Sequence, residues 1–199
     1  MIWVPTICMA LSVLVAGIAA YSDFRTGTIP NELTYPAIVL GVALQALAGY
    51  GHIQVVGFGG GNALWGVAQS LLGAVLSALP YWVFFRMKLT RGDGSEQRVG
   101  YGGDVKVFAA LGALLGYYHG LEATFFSTCI AGLLGMARLA WNGRLLAALA
   151  NSFFLPLNPV LPRRWRREVR PELLHTIRMG APIFLGTAAS AVFRVQSTL

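Results

Sequence analysis

Apolar residues fall into long runs separated by short polar connections: about Ile2 to Ala20, Leu33 to Tyr50, Asn62 to Phe85, Val105 to Tyr118, Leu121 to Trp141 and, more weakly, Leu173 to Phe193. A helix rising about 1.5 Å per residue crosses a hydrocarbon core of roughly 30 Å in about 20 residues. Most of these runs therefore predict transmembrane helices. The fourth is short, and predicts a helix that begins below the membrane surface or lies beside locally thinned lipid. The expected fold is an all-α polytopic membrane protein with about six transmembrane helices, built as a single integral membrane domain over residues 1–199. No internal repeat, low-complexity linker or separate soluble domain interrupts the pattern.

Composition supports lipid as the solvent, because 56% hydrophobic and 12% charged residues leave too little polar surface to cover a soluble globule. A net charge of +7 would suit nucleic acid, but the basic residues gather between apolar runs and are not interleaved with aromatics. Nucleic acid is not an expected partner. The basic residues instead orient the chain, since cytoplasmic connections are enriched in Lys and Arg. Arg25 lies in the first connection, Arg86, Lys88, Arg91 and Arg98 in the third, and Arg138 through Arg178 flank or fill the fifth. The second connection, Gly51 to Gly61, and the fourth, around His119, contain none; Arg194 alone departs from the pattern. Both termini are thus expected outside the cytoplasm. No positive charge precedes the first run, which predicts a retained helix and not a cleaved signal peptide.

The fifth connection, about residues 142–172, holds Leu145 to Leu155, too short to span, then Pro156, Pro159 and Pro162 and the cluster Arg163-Arg164-Trp165-Arg166-Arg167. This pattern predicts an interfacial element resting on anionic lipid headgroups, serving as a topology anchor or as a specific partner site.

Candidate chemistry is sparse. Cys8 and Cys129 lie in different apolar runs with no Cys-x-x-Cys pair, and read as packing residues. Neither a metal nor another cofactor is expected. His119 and Glu122 supply two ligand types where a zinc centre needs more, and Asp93 and Glu96 sit in a polar, turn-rich stretch that reads as solvated loop. Among only eight Asp and Glu residues, Asp23, just past the first run, and Asp104, opening the fourth, stand out because acids at membrane boundaries are costly. The charge pattern places both at the cytoplasmic face. Pro30 lacks a backbone donor and favours an extended Ile29, while Asn31 can cap the helix that follows. Gly102 and Gly103 let the backbone turn sharply before Asp104. Taken separately, Asp23 fits a loop acid paired with Arg25, and Asp104 fits a helix cap.

Together, Asp23-x5-Ile29-Pro30-Asn31 and Gly102-Gly103-Asp104-Val105-Lys106 resemble the paired motifs of the type IV prepilin peptidases, bacterial membrane-embedded aspartic proteases named for a Gly-x-Gly-Asp signature. The resemblance takes in both motifs, their order and their placement, over roughly residues 1–141. Tyr101 stands where the signature has its first glycine, with Gly100 one residue earlier.

The resemblance implies a prepilin leader peptidase whose catalytic residues are Asp23 and Asp104. Two carboxylates held close cannot both ionise easily, so one can act as general base and the other as general acid. Gly102, Gly103, Pro30 and Asn31 would shape the loops, and Lys106 would position the site or substrate, unless it snorkels toward headgroups. The implied partner is a prepilin or pseudopilin precursor, cut after glycine at the cytoplasmic face of the bacterial inner membrane. Longer family members carry a cytoplasmic region with paired cysteines and also methylate the new N-terminus; this chain looks more like the short, peptidase-only branch of Flp or Tad pilus systems. Two other functions stay open: a proton-coupled small membrane transporter, since intramembrane acids also serve as relays, and a non-catalytic pilus-assembly scaffold, which the Tyr101 departure would suit.

Overall fold

A computed structural model describes residues 3–50, 62–86, 88–90, 96–98, 102–143, 145–146, 149 and 178–197. Its helices are α1 (Trp3–Thr26), α2 (Asn31–Tyr50), α3 (Ala63–Arg86), α4 (Gly102–Trp141) and α5 (Gly180–Ser197). Among the described residues, the four helices α1 to α4 are long and apolar enough to cross a membrane. The connection Gly51 to Gly61, the cluster Arg163 to Arg167, Tyr101 and most of Leu145 to Leu155 lie outside the described residues.

Several expectations need correction, the first at the end of α1, which runs past Ala20 to Thr26 and so takes in Asp23 and Arg25, both expected in the first connection. Part of the third connection, read as loop, is a small hairpin: β1 (Lys88–Thr90) pairs antiparallel with β2 (Glu96–Arg98), Lys88 opposite Arg98 and Thr90 opposite Glu96. Strands of three residues are too short to show alternation in the sequence. In the last apolar run, expected from Leu173, Arg178 and Met179 are non-helical and α5 starts at Gly180. Cys129 is exposed, whereas Cys8 is buried. Ser127 faces inward, and Cys129 follows it by two residues, which is about 200° around a helix of 3.6 residues per turn.

The fourth and fifth apolar runs join within α4, whose 40 residues do not run straight. Gly116 has φ 75° and ψ 177°, a backbone conformation essentially reserved for glycine. The chain doubles back there. A Cβ on Gly120 would lie 2.8 Å from the Cα of Gly112, although a straight helix would separate the two residues by about 12 Å along its axis. Tyr81 of α3 touches both arms: its ring stacks on Phe108 at 4.0 Å between centroids, and its hydroxyl meets that of Thr128 at 2.8 Å. The break falls at Gly116, ahead of the expected connection around His119.

A helix that ends inside an apolar bundle leaves carbonyls that lipid cannot satisfy. Two buried polar side chains meet this need: Ser70 Oγ donates to the Ala113 carbonyl and Gln45 Nε2 to the Leu114 carbonyl, each over 2.8 Å. Gly66, Ser70, Gly73 and Ser77 form a small-residue stripe along α3; Gly66 lets the α2 backbone at Gln45 and Ala46 approach closely and the other three admit the α4 backbone, as is common where lipid supplies no hydrophobic drive between helices. Gly73 and Gly112 pack backbone against backbone there.

At the other end of the bundle, Val107, Phe108 and Leu111 of α4 pack with Ala16 and Ala19 of α1 and Ile183 of α5. The alanines leave room for the neighbouring helices. This cluster brings the C-terminal end of α1 beside the N-terminal ends of α4 and α5.

Candidate active site

Asp23 lies in the last turn of α1, whose end is closed by Gly27: this residue has φ 68°, and its amide donates to the Asp23 carbonyl over 3.0 Å. Such a left-handed residue is a common way to end a helix and turn the chain. Ser22 Oγ donates to the Thr28 carbonyl over 2.9 Å, tightening the same turn. Pro30 then offers its carbonyl to the Leu33 amide over 3.3 Å as α2 begins. The short connection carries Ile29 against Gly103, where an added Cβ would lie 3.4 Å from the Ile29 Cβ.

Half-buried Asp23 is gripped from α5. Its Oδ2 accepts a hydrogen bond from the Gly180 amide over 2.9 Å, and Arg178 Nη1 donates to the neighbouring Phe24 carbonyl over 2.7 Å. Arg25 does not pair with Asp23; its guanidinium lies 5.7 Å from the centre of the Tyr21 ring.

Asp104 occupies the first turn of α4 and is 8% exposed. Its carboxyl makes no hydrogen bond among the described residues, and Asp23 is near enough for its charge to act on it. Lys106, two positions on, points elsewhere: its Nζ donates to Asn31 Oδ1 over 2.7 Å and lies 5.5 Å from the centre of the Tyr35 ring. Asn31 therefore spends its side-chain oxygen on Lys106, not on capping α2 as expected.

One cavity of about 560 Å³ gathers Asp23, Asn31, Gly102, Gly103, Asp104 and Lys106. Pro30, also expected in the site, is not among the cavity's lining residues, and acts through the backbone. Thr28, Ile29, Arg178 and Met179 complete much of its wall. Sequence reasoning missed Arg178, Met179 and Gly180. Their signal was Gly180-Ala181-Pro182, a helix-start pattern with proline in the first turn. Two carboxyl groups held close together can divide a single proton between them, and both aspartates line this cavity. Among the described residues no group of three His, Cys, Asp or Glu could hold a metal ion, and His119 Nδ1 pairs with Glu122 Oε2 at 3.0 Å.

Comparison with known proteins adds a family to this geometry. Over 128 residues the chain is 31% identical to the prepilin leader peptidase/N-methyltransferase of Burkholderia pseudomallei strain 1026b, covering 62% of this chain and 34% of that protein. The relative from strain K96243 matches with the same 31% identity and coverage. The chain thus spans about a third (34%) of the length of these curated relatives. No solved structure gives a significant match. The match to the type IV leader peptidase family runs over residues 9–136, taking in both aspartates and ending before α5. The chain belongs to that family.

Proposed function

We propose that the protein is a membrane-embedded aspartic endopeptidase that removes the leader of type IV pilin-like precursors, with Asp23 and Asp104 as its catalytic pair. The observation that carries this reading is the presence of both aspartates, 81 positions apart in sequence, in the lining of one cavity. The carboxylate form of the pair takes a proton from water, which attacks the scissile carbonyl. The protonated form polarises that carbonyl and then supplies a proton to the departing amine. Gly102 and Gly103 leave space beside Asp104, and Lys106 with Asn31 tethers α4 to the start of α2.

The substrate is a prepilin or pseudopilin whose short leader stays in the cytoplasm while its apolar helix lies in the bilayer. A glycine before the cut lets the peptide extend close to the acids. This places the cavity at the cytoplasmic face of a bacterial inner membrane protein with about six spans, a single domain over residues 1–199 and both termini outside. Arg25, Arg86 and Arg178, at the aspartate end, support that orientation through the positive-inside bias and attraction to anionic headgroups. Acids at one end of the bundle suit cutting at a membrane boundary better than a mid-membrane relay.

The test is cleavage of a pilin-like precursor by the protein in lipid nanodiscs. Asp23→Asn and Asp104→Asn should each lower the rate about 100-fold or more with insertion and folding preserved. Cleavage persisting in both variants would contradict the pair. An inert native protein that still binds the precursor would indicate a scaffold.

A further inference from the structure

We propose that the amino end of α5 is a positioning element of the active site, with Gly180 setting the orientation of the Asp23 carboxyl. This inference rests on the peptidase reading and extends it to a part of the chain beyond the family match, which ends at residue 136.

Two hydrogen bonds and the close fit of Gly180 converge on one turn of α1. The Gly180 amide holds Asp23 Oδ2 at 2.9 Å. Gly180 is also fitted to the place: a Cβ there would lie 2.9 Å from the Cα of Ala20 and 2.9 Å from both Cβ and Oδ2 of Asp23. Real Cβ atoms do not come that close, so any larger residue must displace Asp23 or α5. Arg178, two residues earlier, fastens the next carbonyl of α1, that of Phe24, at 2.7 Å. Buried Ile183 anchors the following turn of α5 in the cluster shared with Ala16, Ala19 and Phe108.

Asp23 ends a helix beside a cavity, a place where a free carboxyl rotates among several staggered orientations. A fixed amide on one oxygen removes that freedom and leaves the other oxygen to work with water and Asp104. Catalytic groups gain most of their effect from such prior alignment, and a displacement of about 1 Å can cost roughly 100-fold in rate. Asp104 receives no corresponding grip among the described residues, so α5 acts on one member of the pair only.

The experiment measures kcat and KM for precursor cleavage in nanodiscs, alongside thermal unfolding. Gly180→Ala should lower kcat about 10- to 100-fold with KM within about twofold. Arg178→Ala, at an exposed position, tests the same idea without crowding: a smaller loss of kcat is expected, and Arg178→Lys, which keeps a long donor, should restore part of it. Leu185→Ala, on the outward face of α5, should leave both constants unchanged. If Gly180→Ala does not fold, the Arg178 pair decides. An unchanged kcat in the folded Gly180→Ala variant overturns the inference, as does a loss confined to KM or one that tracks the folded fraction. These results differ from failure of the peptidase reading itself, in which Asp23→Asn and Asp104→Asn would still cleave.

Discussion

Lys106 in α4 and Asn31 at the start of α2, 75 positions apart, share a 2.7 Å hydrogen bond that ties two walls of the aspartate cavity together. The Lys106 ammonium also lies above the Tyr35 ring, 5.5 Å from its centre. A side chain merely reaching for headgroups would be indifferent to Asn31. A double-mutant cycle on Lys106→Met and Asn31→Ala, read by unfolding, should therefore give a coupling of about 1 kcal/mol. Lys106→Met should also slow cleavage, but less than either aspartate substitution. Zero coupling would return Lys106 to a lipid-facing role.

The fold of α4 depends on Gly116. An alanine Cβ would find room there, its nearest neighbour being Gln45 Nε2 at 3.6 Å, so the cost lies in the backbone and not in crowding. Gly116→Ala should destabilise the protein by about 1–3 kcal/mol, the usual cost of forcing a side chain into so sparse a region. Thermal unfolding in detergent measures it. Gly132→Ala, where an added Cβ meets nothing within 4 Å, is the matched control and should change little.

The carbonyls released by that bend predict a second stability effect. Gln45→Leu and Ser70→Ala each strip the donor from one of them in a setting without water, and each should cost about 1–3 kcal/mol. Leu71→Ala, beside Ser70 but exposed, should cost far less. Equal effects at positions 70 and 71 would show that the hydroxyl does not serve the bend.

A pair that works with one proton between its members requires a bell-shaped dependence of kcat/KM on pH. The rate should fall on the acid side as both carboxyls take protons, and on the alkaline side as both lose them. The two limbs belong to the pair and not to either residue. A single-limbed profile across the range in which the protein stays folded would contradict a shared proton.

Much of this protein was legible from the linear order of its residues. Apolar run length determines which segments prefer lipid, so α2 and α3 could be placed closely and α1 up to Ala20, while the scarcity of acids singled out Asp23 and Asp104. Local rules also anticipated the chain break before Asn31. The contacts that join these pieces depend on three-dimensional packing. Whether Asn31 caps its own helix or receives Lys106 depends on how near α4 comes to α2. That residues 102–141 divide into two runs was legible; that the break falls at Gly116 and not around His119 goes with Ser70 and Gln45 standing where they take the Ala113 and Leu114 carbonyls. The grip on Asp23 depends on a glycine 157 positions away, which a core of small and apolar side chains brings beside Ala20. Solvent preference and helix endings are local properties that a sequence states directly. The meeting of distant groups is decided by how closely backbones can approach, which small residues such as Gly73, Gly112 and Gly180 permit only once their partners are in place.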